Sequence, residues 1–248
     1  AEWLSTVRVN CKKSTFVKYE NVCRKYILPK FGRYNVGSVT TSDVEEYLLR
    51  LISETKLAPK SVRDMLSVMK LIMAYADKHG GIVNCNLSAI TIKCESTDFY
   101  VFTKEEQQRL VEYIMNAPDP RKLGILLCLY TGLRVGELCA LMWSDIALDN
   151  KLLSVTKTMQ RMRNIESAEA GKKTIISITS PKSKAGIRTV PLTDFLVDIL
   201  KKYKQTDDAY FLSGVSGIWV EPRNMQNFFA VCLKEAGVTK CNFHSLRH

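Results

Sequence analysis

Chain-breaking residues are scarce: 12 glycines and 7 prolines are spread over 248 positions. That excludes a low-complexity or collagen-like chain and leaves room for long regular elements. Apolar runs are short. None reaches the ~18 residues that a membrane helix needs, and no basic-then-apolar leader opens the chain; a cytoplasmic protein with no membrane contact is expected. Imidazole is almost lacking, with His79, His244 and His248 as the whole supply. The 8 cysteines contain no C-x-x-C, so neither a zinc-ligand spacing nor a secreted disulfide framework is visible. They read as small buried hydrophobes on helices in a reducing compartment. An initial methionine is also missing. The chain begins inside what reads as a helix, "AEWLSTVRVN", and stops at "HSLRH" without a cap, so an internal fragment of a longer protein is expected.

What the sequence has in excess is positive charge. Lys and Arg number 36 against 25 Asp and Glu, a formal charge of +11, on an ordinary folded background of 46% hydrophobic and 25% charged residues. Both halves of the chain are basic. An excess spread in this way suits a polyanion touching both halves, most often nucleic acid, although a basic soluble protein with no such partner has the same balance.

Residues 1–92 read as a helical bundle. Phe16, Tyr19, Cys23, Tyr26 and Ile27 fall on one helical face, and Pro29 followed by Gly32 is expected to end that segment. "TSDVEEYLLRLI" repeats the pattern with Thr41 or Ser42 as N-cap, and Val62, Met65, Leu66, Met69, Ile72 and Met73 form a third stripe stopped by Gly80 and Gly81. The polar faces carry Lys12, Lys13, Lys18, Arg24, Lys25, Lys60, Arg63 and Lys70. Any one of these is more simply a solvated charge than a phosphate contact.

An irregular stretch at 93–101 is expected to link this bundle to a second domain at 102–248. There Thr103 and Glu106 form a capping-box pattern ahead of Leu110, Val111 and Ile114. Helices are expected near 103–115, 122–130 and 134–141. "KLLSVTKTM", "KKTIISITS" and "IRTVPL" then alternate as strands of one small sheet, and helices return after Thr193 and Pro222. The fold class is mainly α with a small antiparallel β-sheet, in two domains.

Three basic features remain: Arg134 in "TGLRVGEL", Lys182 and Lys184 in the "PKSKAG" turn, and "HSLRH" at the end. Each alone has a bland explanation, because an Arg three residues from a Glu is usually a structural ion pair and a charged hairpin tip is usually just solvated. In this order they are specific. "LYTGLRVGELCALMWSDI", then "PKSKAGIRTVPL", then "FHSLRH" resembles the catalytic domain of tyrosine recombinases, the phage and transposon integrase family, and most of all integrases of conjugative transposons. "YILPKFG" and "VTTSDVEEYL" are similar to that family's core DNA-binding domain.

The resemblance implies a site-specific DNA recombinase. It would cut a phosphodiester by attack of a tyrosine hydroxyl, leaving a 3'-phosphotyrosine, and rejoin strands to integrate or excise a mobile element. It implies no metal or nucleotide cofactor, so side chains must supply the positive charge. Arg134 and Arg247 would fork onto the non-bridging phosphate oxygens. His244 would bond the phosphate or shuttle a proton, and Lys182 would protonate the leaving oxygen. Counting back from Pro191 lands on Ser183, so Lys184 stays open for that role; otherwise it is a DNA contact. Glu137 would buttress Arg134, Trp143 would pack in the core and His248 would be structural. Implied partners are double-stranded DNA attachment sites, further copies of the chain as a dimer or tetramer on DNA, and DNA-bending accessory proteins.

The family's nucleophilic tyrosine should lie well beyond Arg247. None of the 10 tyrosines matches it by motif, so the chain as given is expected to bind DNA without cutting it. A second reading is a regulator that keeps the fold and never cuts, although binding alone would not need all four catalytic candidates. An RNA-binding reading finds no recognition motif.

Overall fold

The computed structural model describes residues 2–95, 100–165, 173–181 and 184–247, with only the backbone of Lys184. The chain separates into two units, Ala1–Thr97 and Asp98–His248, each with a hydrophobic core of its own.

The first unit is helical. After α1 (Glu2–Asn10), α2 (Lys13–Val22) runs through a π-helical turn (Cys23–Ile27) into α3 (Leu28–Phe31). The segment ends at Gly32, as expected, with Pro29 inside its last helical turn. Proline lacks an N–H and crowds the carbonyl four residues back. Just ahead of Pro29 the bonding widens, so that the Leu28 N–H donates to Cys23 O, and this wide turn absorbs the misfit. α4 (Thr41–Glu54) is capped by Thr40, not by Thr41 or Ser42. The Asp43 N–H donates to Thr40 Oγ1 at 3.2 Å and the Thr40 N–H to the Asp43 carboxylate at 3.0 Å. Thr41 has Val44 three residues on and no acid; Ser42 has Glu45 at that spacing but lies inside the helix, and the reciprocal box forms between Thr40 and Asp43. α5 (Pro59–Lys78) lays Val62, Met65, Leu66 and Met69 against Val44 and Leu48. Val44, Leu48 and Val62 are fully buried, each contributing about 1.5–3 kcal/mol.

In the second unit α6 (Lys104–Asn116) starts on the expected Thr103–Glu106 box. α7 (Pro120–Thr131) buries every residue from Leu123 to Cys128 and forms the centre of the core. Gly132 ends it at φ +64°, a left-handed conformation that glycine adopts without strain, and sends its N–H back to Cys128 O at 2.9 Å. α8 (Val135–Ala140) follows.

The strands form two sheets where one was expected. β1 (Ile146–Ala147), β2 (Leu152–Val155) and β5 (Arg188–Pro191) make one, in the order β1-β2-β5, while β3 (Thr158–Arg163) and β4 (Thr174–Thr179) pair only with each other. The run "KLLSVTKTM" looks continuous, but it breaks between Val155 and Thr158, where Lys157 Nζ turns back to Asp145 Oδ2 at 3.1 Å. β3–β4 is thus a hairpin inserted between two strands that pair across it. α9 (Asp194–Tyr203) is capped by Thr193, and α10 (Pro222–Glu235) is followed by Gly237 and by a 3-10 segment, Phe243–Arg247, packed on α7. Among the described residues no helix is long and apolar enough to cross a membrane.

Candidate functional site

Arg134 stands at the N-cap of α8, and the helix's third residue, Glu137, folds back over it. The Arg134 N–H donates to Glu137 Oε2 at 2.9 Å and the Arg134 Nη1 donates to Oε1 at 2.8 Å. The backbone bond gives an otherwise orphaned helix-start donor its partner. Gly136 makes the placement feasible, because a Cβ there would sit 2.7 Å from both Met159 O and Thr158 Oγ1. α8 can press against β3 only because this position has no side chain.

The apolar setting falls on the carboxylate and not, as "TGLRVGEL" suggests, on the arginine. The Glu137 side chain is 3% exposed, whereas that of Arg134 is 55% exposed. Leu133 and Leu138 are buried on either side. A third group completes the cluster. Arg188, first residue of β5, donates from Nη2 to Glu137 Oε2 at 2.9 Å and from Nη1 to Oε1 at 3.2 Å. Burial pushes the Glu137 carboxyl up, but the hydrogen bonds from Arg188, and after them those from Arg134, outweigh it and hold the group below the usual carboxylate range.

Arg247 ends the 3-10 segment on α7 and brings a third guanidinium towards the same carboxylate. Burial, then repulsion by Arg134, lowers its affinity for a proton, with Glu137 opposing. A guanidinium stays charged regardless. Its Nη1 is buried and has no hydrogen-bond partner among the described residues. A buried donor left unpaired costs about 1–3 kcal/mol, and an anion oxygen brought to it would supply the bond. His244 precedes Arg247 by one 3-10 turn, so the two share a side of the segment. His244 is exposed, and its backbone N–H donates to Asn242 Oδ1 at 2.9 Å.

The structure thus gathers Arg134, Glu137 and Arg247, with His244 beside the last. Lys182 and His248 lie outside the described residues; Lys184 contributes the backbone start of a 3-10 turn, Lys184–Gly186. Arg188 escaped the sequence reading. Its signal was there: alternation along "RTVP" sets Arg188 on the face of Val190, a charged residue where strand periodicity calls for an apolar one. Trp143 is 2% exposed and stacks at a tilt on Phe211 with 5.0 Å between ring centres. The thiols of Cys139 and Cys23 are pushed up by burial to about 12 and about 11, and that of Cys128 goes well above its usual range, as suits buried hydrophobes.

In the first unit Lys60, Arg63 and Lys70 lie along α5, the first two exposed and Lys70 half-buried. Lys18 reaches the same helix by pairing with Asp64 at 2.9 Å, and Arg24 pairs with Glu20 at 3.7 Å. Lys12 and Lys25 are exposed and Lys13 is half-buried.

Comparison with known proteins follows the same division. Residues 100–248 match the phage integrase family, and residues 1–52 match the phage integrase N-terminal SAM-like domain. The chain is 28% identical to a XerC-like tyrosine recombinase of Caldanaerobacter subterraneus subsp. tengcongensis, over 99% of this chain and 68% of that one. It resembles the solved Tn1549 transposon integrase in complex with a circular intermediate DNA, with a TM-score of 0.77 and 19% identity, over 99% of this chain and 83% of the other. It also resembles a lambda integrase tetramer bound to a Holliday junction, with a TM-score of 0.68 and 20% identity, over 99% and 68% of the two chains.

Proposed function

The chain belongs to the phage integrase family and is a site-specific tyrosine recombinase of the conjugative-transposon type, and from that premise we propose that the arginine cluster around Glu137 holds the scissile DNA phosphate. The observation that carries this is the buried Nη1 of Arg247, without a hydrogen-bond partner among the described residues, beside a second, half-exposed guanidinium on Arg134. Two fixed forks of positive charge suit two non-bridging oxygens, and they suit best the five-coordinate transition state, in which those oxygens gain negative charge.

The attacking tyrosine oxygen forms its bond to phosphorus as the bond to the 5'-oxygen breaks. Lys182 supplies the proton that the 5'-oxygen takes up, with Lys184 as the alternative donor. His244 bonds the phosphate or accepts the tyrosine proton, since imidazole titrates near neutral pH. Both residues are assigned by the motif resemblance. The charge that stabilises the transition state comes from side chains.

The partner in this reading is double-stranded DNA at an attachment site, held as a dimer and, during exchange, as a tetramer. The DNA complex and the tetramer in the related structures support it. Helices of the first unit would grip the backbone, with Lys60, Arg63 and Lys70 as phosphate contacts and Lys12, Lys13, Lys18, Arg24 and Lys25 around them; Lys184 would add a contact in the second unit. DNA-bending proteins would assist, and the complex would work in the bacterial cytoplasm, where its DNA lies.

The test is covalent capture of a suicide DNA substrate by the full-length recombinase. R134A and R247A should each slow capture by about 100- to 1000-fold, the usual loss for one transition-state donor, while DNA affinity falls less than about tenfold because many phosphates share it. Unchanged capture in either variant would overturn the assignment and favour a fold retained for binding alone.

A further inference from the structure

The Glu137 carboxylate has two oxygens, and each accepts twice. Oε1 takes Arg134 Nη1 at 2.8 Å and Arg188 Nη1 at 3.2 Å; Oε2 takes the Arg134 backbone N–H at 2.9 Å and Arg188 Nη2 at 2.9 Å. The two arginines differ in how they are engaged. Arg188 grips the carboxylate with both prongs, also donates from Nη1 to Gly186 O at 3.3 Å, and has a side chain 26% exposed. Arg134 gives the carboxylate one guanidinium bond and leaves more than half of its side chain in solvent. One arginine is committed and the other is available.

The geometry points to Arg188 as a positioning residue for the phosphate site: by filling Glu137 bidentately, it frees the Arg134 guanidinium for phosphate while the carboxylate keeps hold of the Arg134 backbone. This rests on the reading of the cluster given above. A buried carboxylate without Arg188 would have Arg134 as its nearest strong donor, and so would compete with the phosphate for the same fork. With Arg188 in place, Glu137 retains three of its four bonds when Arg134 turns away. The carboxylate then still orders the start of α8 and still offsets the mutual repulsion of the guanidiniums. The charged groups that act on Glu137 are Arg134 from its own turn, Arg188 from β5 and Arg247 from the terminal 3-10 segment; a further titratable group facing it, the Cys128 thiol of α7, stays protonated and neutral.

The experiment is single-turnover cleavage of a suicide substrate by the full-length recombinase carrying R188Q or R188K, at pH values from 5 to 9, with DNA affinity and thermal melting measured alongside. R188Q should lower the cleavage rate by about 10- to 100-fold, the range seen when a group that holds a contacting residue is lost, with affinity within about threefold of the parent because it is shared among many phosphates. The acid limb of its pH–rate profile should move towards neutral, because Glu137 loses the hydrogen bonds that most depress its pKa. R188K keeps a charge beside Glu137 but loses the fork, so it should return the acid limb to the parent position and recover part of the rate. If R188Q folds poorly, R188K alone decides between a partial rate loss and none. A parent-like rate in R188Q at all pH values overturns the proposal. So does a loss equal at every pH that R188K does not relieve, since that marks a merely structural strand. If R134A and R247A also cleave normally, the site reading itself has failed; if they are dead and R188Q is not, only the role of Arg188 falls.

Discussion

Glu106 at the start of α6 shows what a well-held carboxylate does for this chain away from any site. The Tyr100 hydroxyl lies 2.6 Å from both of its oxygens, the Thr103 N–H donates at 3.1 Å and the Thr239 N–H at 3.4 Å. The Tyr100 bond, and then that from Thr103, hold the Glu106 pKa at about 2. A folded-state pKa below the unfolded value contributes stability that is complete above the ordinary carboxylate range and is lost as pH falls from there towards 2. Y100F removes the main cause, so its melting temperature should fall at pH 7 and should drop less between pH 7 and pH 3 than the parent's; equal drops would refute this. Residues of this kind were legible only in part. Thr103 and Glu106 share a local spacing, and so do Arg134 and Glu137 or His244 and Arg247, but Thr239 and Arg188 come from far along the chain. A hydrogen bond across such a separation leaves no period to read.

The helices of this chain announce themselves by apolar spacing and by caps at fixed offsets, which is why α4 to α7, α9 and α10 could be placed in advance to within a few residues. Strand pairing could not. β2 and β5 meet across an inserted hairpin, and pairing partners are set by tertiary geometry while only alternation is local. The stop at Pro29 and Gly32 was legible, but the wide turn ahead of Pro29 that keeps the proline inside the helix was not. The helix most exposed to error is α8, whose six residues carry the site on a close approach to β3. G136A would force a methyl to within 2.7 Å of Met159 O, costing about 1–3 kcal/mol against the ~1 kcal/mol that alanine gains over glycine in a helix. A net loss in urea-melt stability is expected, together with slower cleavage, since Arg134 and Glu137 move with the helix. A stabilised G136A would show that α8 has more room than the structure allows.

At the scale of the molecule, charge and core make opposite demands. The +11 excess was visible in composition, and so was the presence of two apolar sets large enough for two cores. Which cations are left without a neutralising neighbour was not, because that depends on folded positions. Arg247 has a carboxylate near it, Glu137, but that carboxylate already takes hydrogen bonds from Arg134 and Arg188, and among the described residues the Arg247 Nη1 has no hydrogen-bond partner. Its buried Nη1 is taken out of water by folding itself, so that part of the desolvation is done once and is not repeated at each binding event. The protein is correspondingly less stable than its sequence could make it. R247M should therefore raise the melting temperature by several degrees, about 1–3 kcal/mol, while abolishing cleavage; a lower melting temperature would mean that the guanidinium supports the fold. Part of the cost of meeting a phosphate is thus met at folding, because one nitrogen of Arg247 is already out of water while the residue as a whole stays half-buried.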